Sequence, residues 1–268
     1  MDTPIISVRD LTVRYGDKCV LNGVSLDVAR GEVMVLLGGS GAGKSTMFRH
    51  IIGLERPHTG SVFVQGVDIN GCTANELTAV RRTMGVTFQE AGLFNSLSIE
   101  ENIALPLREL TTLDDPVIEI MIDMKLASVG LAGTQKLLPQ ELSGGMKKRA
   151  AVARATALDP QILVLDEPSA GLDPIVGAEL DELMLLLKRM FNMTLFVVTH
   201  ELASAFRIAD RIAMLYEGSL IAVDGKETFR ASTNPHVRQF LDRIPGQVVD
   251  DATFQHLREL AGVAGTER

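Results

Sequence analysis

Long apolar runs are missing from this 268-residue chain. Apolar residues make up 46% of it, yet no uninterrupted run approaches the ~18 residues that a membrane-spanning helix needs. The apolar content predicts a soluble core, and any role at a membrane calls for a separate membrane partner. A basic excess is missing as well. Thirty-four acidic against 26 basic side chains leave a net charge of -8, which argues against a nucleic-acid binder working by general electrostatics and against adsorption to anionic lipid. The only two cysteines, Cys19 and Cys72, are far apart and without metal-ligand spacing. They predict reduced thiols of a cytosolic protein. The opening stretch MDTPIISVRD has neither a basic n-region nor an apolar h-region, which predicts no secretion. Internal repeats, low-complexity runs and linkers between independent domains are also absent, and the length suits one α/β core with at most a lobe attached.

What is present is clearest at LGGSGAGKST, residues 37–46, which follows the apolar run VMVLL. The spacing Gly38, four residues, Gly43-Lys44-Ser45 fits a phosphate-cradling P-loop. Gly38, Gly39, Ser40, Gly41, Ala42 and Gly43 would let main-chain N–H groups surround a phosphate, and the next helix would offer its positive end. Lys44 would reach the β- and γ-phosphates of ATP, and the Ser45 hydroxyl would ligate Mg2+, with Thr46 beside it. The bland alternative is a flexible loop. Context favours the cradle: VMVLL reads as a buried strand, and residues 45–54 place Met47, Phe48, Ile51 and Ile52 on one helical face.

Further along, residues 6–16, 24–31 and 60–69 alternate apolar and polar side chains and predict a small antiparallel sheet beside the P-loop strand. From about residue 97 to 158 the pattern is helical, punctuated by Pro106 and Pro116. Parallel-core strands return at ILVLD, 162–166, and TLFVVTH, 194–200, separated by a helix over 176–190. A hairpin over 211–225 turns at Glu217-Gly218.

Two further stretches carry chemistry. ILVLDEP brings Asp166 and Glu167 to the end of a buried strand. With a P-loop in the same chain, Asp166 suits Mg2+ or its bound water, and Glu167 suits a general base for an attacking water. In LSGGM, residues 142–146, Ser143 is a good N-cap and Gly144 and Gly145 leave N–H groups uncovered, at the head of a helix with Lys147, Lys148 and Arg149. This is either a second anion site or an ordinary helix cap.

P-loop, Gln89 after VTF, LSGGM, ILVLDE, SAGLDP and His200 in VTHE follow one another in the order and spacing of the ATP-binding cassette (ABC) transporter ATPases, which the chain resembles from residue 5 to about 225. The resemblance implies an α/β P-loop fold with a mainly parallel sheet, an antiparallel β subdomain and a helical subdomain near 90–158, the whole ATPase domain spanning 1–245. It implies that Tyr15 stacks on adenine, that Gln89 ligates Mg2+ and senses the γ-phosphate, and that Asp173 communicates across a dimer. His200 is implied to hold the γ-phosphate end of the site. Ser143 and Gly145 of one subunit would complete the site of the other, in a homodimer driving a transmembrane partner. Gly39 stands where many relatives have proline, and Met146 where glutamine is usual; neither side chain is expected at the phosphates.

LSGGMKKRAAVARA, FQEAGLFNSLSIEENIALPLRE and NPHVRQFLDRI, residues 234–244, further resemble the ATPases of bacterial lipid transporters that work with mammalian-cell-entry (MCE) proteins, the Mla type among them. That implies a homodimer under an inner-membrane permease, reached from the cytoplasmic face, with phospholipid or a related lipid as cargo. An MCE-type lipid-binding protein is the implied further partner, and a small accessory subunit is another candidate. An importer of amino acids or other small solutes is the runner-up. A soluble cassette acting on nucleic acid would bring two cassettes, a long coiled-coil insertion or basic surfaces, none of which is evident. A P-loop kinase or GTPase leaves LSGGM unexplained, and no Asn-Lys-x-Asp motif is present. Beyond residue 245, DDATFQHLRELAG predicts a short helix with Phe254, Leu257 and Leu260 along one side, for packing on its own domain or for docking on the partner subunit or a small regulatory protein.

Overall fold

In the computed structural model residues 3–244 are described. Alternating sequence folds first into hairpins. β1 (Ile6–Tyr15) and β2 (Lys18–Val28) pair antiparallel across the Gly16-Asp17 turn, burying Ile6, Val8, Leu11 and Val13. β3 (Val33–Gly38), six consecutive buried residues, belongs to another sheet and leads into α1 (Lys44–Ile51). β4 (Thr59–Val64) and β5 (Val67–Asp68) complete a four-stranded sheet ordered β2-β1-β4-β5. The single strand read over 60–69 is thus two. Gln65 and Gly66 take φ of 52° and 81°, the left-handed pair that a two-residue hairpin turn requires.

α2 (Ala74–Arg82) opens with a capping box between Thr73 and Glu76 and leads to β6 (Met84–Thr87). The helical stretch read over 97–158 resolves into α3 (Ile99–Leu110), α4 (Asp115–Ser128) and α5 (Gly144–Ala155), with the Ser98 and Ser143 hydroxyls capping α3 and α5. Pro116 lies in the first turn of α4, as punctuation should. Pro106 instead lies inside α3, which continues through it without the bond a Pro nitrogen cannot donate.

β7 (Ile162–Asp166), α6 (Pro174–Phe191), β8 (Thr194–Val198), α7 (Leu202–Ile208), β9 (Arg211–Tyr216), β10 (Ser219–Gly225) and α8 (Lys226–Arg230) follow. The second sheet is ordered β10-β9-β3-β8-β7-β6, all pairs parallel except β10 with β9, whose turn is Glu217-Gly218. Parallel alignment brings the C-terminal ends of β3, β6, β7 and β8 to one edge, where open α/β sheets bind ligands.

Met47, Phe48 and Ile51 of α1 are 0–1% exposed and join one buried cluster with Met34 and Leu36 of β3, Val164, Phe196, and Val8 and Val62 of the first sheet. At about 1.5–3 kcal/mol for each fully buried side chain, this packing fixes the helix that follows the glycine loop.

The chain divides after Ala231 into two compact units. The described part of the second unit contains α9 (Pro235–Leu241), capped by Asn234. The helix expected within 250–262 lies outside the described residues.

Candidate functional site

Glycine is required at the two ends of the 38–43 loop. A Cβ on Gly38 would stand 2.5 Å from the Leu215 carbonyl oxygen; one on Gly43, at φ 106°, would meet Leu21 Cδ2 at 2.7 Å and the Val20 oxygen at 2.9 Å. Gly39 and Gly41 face open space, which leaves main chain accessible to a ligand. Gly43 caps α1 with no side-chain hydrogen bond, so the helix end carries its partial positive charge uncovered. Ser40 and Ser45 are exposed, whereas Ala42 and Thr46 are buried.

Lys44 lies back along this loop, its Nζ donating to the oxygens of Gly38 (2.8 Å) and Gly39 (3.0 Å). Burial pushes its pKa down, while Glu167 and Asp166 act in the opposite sense. The P-loop cation and the two strand-end carboxylates therefore share one electrostatic environment.

Asp166 ends β7. Its Oδ1 is buried with no hydrogen-bond partner, and burial, then the charge of Glu167, raise its pKa against Lys44, Arg49 and Lys148. A buried hard oxygen with unfilled lone pairs fits a divalent cation such as Mg2+. Among the described residues no cluster of three or more His, Cys, Asp or Glu side chains forms a metal cage; further ligands would have to be hydroxyl, amide, water or phosphate oxygens. Of the other expected ligands, Ser45 and Gln89 have exposed side chains.

Glu167 is held from several sides. It stands in the left-handed region at φ 47°, a conformation that costs a non-glycine residue about 1–2 kcal/mol. Its amide donates to the Val198 oxygen at 2.8 Å. Oε1 accepts from His200 Nδ1 at 2.8 Å, and Oε2 accepts from Thr199 Oγ1 at 3.1 Å and His200 N at 3.3 Å. The Glu167 side chain is 9% exposed and that of His200 56%, so the histidine forms the outer wall of the carboxylate's pocket.

Two residues here carry no role in the sequence reading. Thr199, within VVTHE, orients Glu167 and accepts from Glu201 N at 3.1 Å. Lys148 Nζ donates to the main-chain oxygens of Gln89 and, at 3.1 Å, of Glu167. The cluster Lys147, Lys148, Arg149 is thus no free array of cations beside LSGGM, since Lys148 turns inward and Arg149 pairs with Glu179 at 2.7 Å. Only the inward direction of Lys148 distinguishes it from its neighbours, and the helical period does not reveal that without α5's packing partners.

Ser143 caps α5, its Oγ accepting from Met146 N at 3.3 Å; among the described residues it makes no hydrogen bond to the P-loop. Asp173 caps α6, its Oδ1 accepting from Ile175 N (3.0 Å) and Val176 N (3.1 Å). A Cβ on Gly145 would meet Val176 Cγ1 at 2.6 Å, and one on Gly144 would meet Leu172 Cδ2 at 3.5 Å. The two helix heads therefore pack together. Tyr15, half exposed at the end of β1, donates its hydroxyl to Glu55, and this bond raises its pKa.

A family model described as "ABC transporter" matches residues 21–170, more than half of the chain. The chain belongs to the ABC transporter family. Its fold is that of an ABC ATPase. It is 43% identical over 237 residues to "Probable ribonucleotide transport ATP-binding protein mkl" of Mycobacterium leprae, covering 88% of this chain and 68% of that one. It is 38% identical over 240 residues to "Intermembrane phospholipid transport system ATP-binding protein MlaF" of Escherichia coli, covering 90% and 89%. The ATP-binding cassette MJ0796, solved as a dimer in a post-hydrolysis state bound to ADP and Pi, matches at TM-score 0.76 and 30% identity over 82% of this chain and 98% of that chain. Among the described residues of this family member no helix is long and apolar enough to cross a membrane.

Proposed function

We propose that this ABC ATPase hydrolyses ATP to energise a membrane permease that moves phospholipid or a related lipid. The observation that carries the reading is the meeting, at one edge of the parallel sheet, of the glycine loop with Lys44, the unpartnered Asp166 and the Glu167–His200 pair.

Gly38 through Thr46 bind the phosphates through main-chain N–H groups, with Lys44 leaving its two carbonyls for the β- and γ-phosphates. Asp166, Ser45 and Gln89 would hold Mg2+, which when bound neutralises charge on the transferring phosphoryl group. Glu167 accepts a proton from the attacking water. His200 orients that carboxylate and faces the γ-phosphate, and Tyr15 stacks on the adenine.

Ser143, Gly144 and Gly145 face a second copy, completing the site built on its P-loop, with Asp173 at the same junction. Two copies are drawn together because the γ-phosphate is gripped from both sides only in the closed pair. Residues 1–245 act as the cassette, with the helical part near 90–158; residues 246–268 serve as an interface or regulatory segment. The dimer sits on the cytoplasmic face of the bacterial inner membrane, attached through the permease, with an MCE-type lipid-binding protein in the assembly and a small accessory subunit as a further candidate.

The relatives' names differ on cargo, one naming a phospholipid and the other a ribonucleotide system. The lipid reading rests on the match covering about nine-tenths of both chains. Affinity purification from membranes with lipid analysis tests it. A permease and MCE partner carrying phospholipid supports it; a solute-binding protein with solute-stimulated hydrolysis overturns it.

A further inference from the structure

α5 sends two cations toward main-chain oxygens of the segment that contains Gln89. Arg154 Nη1 donates to the Gly92 oxygen at 2.7 Å and Nη2 to the Ala91 oxygen at 3.4 Å, while its guanidinium lies over the Phe94 ring at 5.8 Å. Lys148 reaches the oxygens of Gln89 and Glu167. Burial pushes the pKa of both cations down. Neither forms an ion pair within salt-bridge distance among the described residues; their direct polar contacts are carbonyl oxygens, with Glu167, Asp166 and Glu201 acting on Lys148 from further away. An ammonium ion in a partly desolvated place is expensive unless its donors are filled, and here two of them are filled by distant segments.

The two cations do different jobs. Arg154 grips the outer bend, where Ala91 and Gly92 both have φ of 63°, and Asn102 holds Phe94 through bonds of 2.8 and 3.1 Å. Lys148 grips the inner end, beside the strand-end carboxylates. Its second acceptor belongs to Glu167, whose amide and carboxylate are already fixed by β8 and the segment after it.

The geometry points to Lys148 as a positioning residue for hydrolysis, tying the main chain of Gln89 to that of Glu167 and so setting the metal-side amide against the carboxylate base. This rests on the proposed ATPase roles of Gln89 and Glu167. The hydrogen bonds of Lys148 go to main chain, so its effect passes through the two residues it joins. Its loss therefore leaves nucleotide affinity in the cradle intact and slows turnover.

Lys148→Met keeps the apolar stem and removes the donors, whereas Lys148→Arg keeps them. Full-length variants are compared by ATP turnover at varied Mg2+, by binding of a non-hydrolysable ATP analogue in EDTA, and by thermal melting. The Met variant is expected to bind the analogue within about threefold of the parent while kcat falls at least about tenfold and half-activation by Mg2+ moves to higher concentration. The Arg variant is expected to recover most of kcat. Near-parental turnover by the Met variant overturns the assignment, and so does a loss of turnover matched by a loss of analogue binding, which marks a packing role. If the Met variant melts early, the same measurements are made at a temperature where it remains folded, with the same two overturning results. Parent turnover that Lys44→Ala abolishes supports the underlying reading separately. Its absence overturns that reading and this assignment together, whereas an active parent with an indifferent Met variant overturns Lys148 alone.

Discussion

His200 Nδ1 lies 2.8 Å from Glu167 Oε1, joining an exposed imidazole to a buried carboxylate across the ends of β8 and β7. The pair explains how Glu167 can be both sheltered and aimed: Thr199 and β8 hold its inner side, and the ring holds its outer side. Glu167→Gln keeps the shape and removes the base. We expect it to retain ATP binding, to lose on the order of 10²–10⁴ in turnover, and to accumulate a closed dimer with ATP. Light scattering with and without nucleotide checks this, and a variant that stays monomeric with ATP counts against the base role.

Lys44 is the loop's own side-chain cation, and in this structure it satisfies two loop carbonyls. Lys44→Ala is expected to abolish productive ATP use, the loss of one hydrogen bond from a charged group weakening the phosphate grip by about 1.5–3 kcal/mol. Calorimetric titration with ATP and a turnover assay measure the two effects. Near-normal turnover would contradict the assignment.

The glycine loop should respond unevenly to an added methyl. Gly43→Ala forces a side chain into φ 106° and against the Val20 oxygen; backbone strain alone costs about 1–3 kcal/mol. Gly39→Ala meets nothing within 4 Å and should lie within about 0.5 kcal/mol of the parent. Urea melts of the two variants compare them directly, and equal destabilisation would refute the packing account.

Asp181 supplies a pH signature outside the proposed nucleotide site. It is buried between α6 and α7, accepts from Ser204 Oγ at 2.7 Å and faces Arg207 Nε at 3.6 Å, with Glu201 and Glu182 among the charges acting on it. Burial raises its pKa from 3.8 to about 6. Because the folded state holds this proton more tightly than the unfolded state, the group's contribution to stability falls as pH rises from 3.8 to about 6 and levels off above. The span is on the order of 3 kcal/mol. Asp181→Asn should remove that slope, seen as the parent-minus-variant difference in urea stability across pH 4 to 7. A difference that is flat, or that rises with pH, would contradict it.

Much of this molecule is legible in its sequence because the chemistry is local. The P-loop needs adjacent glycines and a lysine, β7 and β8 are unbroken apolar runs ending in Asp166-Glu167 and Thr199-His200, and Ser143 and Asp173 are N-caps whose side chains bond within three residues. What was not legible depends on contacts between distant segments or on backbone angles. The inward turn of Lys148 requires Gln89 and Glu167 to be neighbours. The break at Gln65-Gly66 requires positive φ at a non-glycine residue, and α3 continues through Pro106 although its nitrogen cannot donate. α2 was legible too, through the Thr73–Glu76 capping box and an amphipathic spacing that buries Val80.

The shared site between two copies is tested most directly by heterodimers that carry Lys44→Ala and Ser143→Arg either on different subunits or both on one. If Ser143 serves the neighbour's P-loop, placing the substitutions on different subunits spoils the same site twice and leaves the other intact, so turnover survives. Placing both on one subunit then spoils both sites, and turnover is lost. The reverse pattern, activity only when both substitutions share a subunit, would show that each chain builds its site alone.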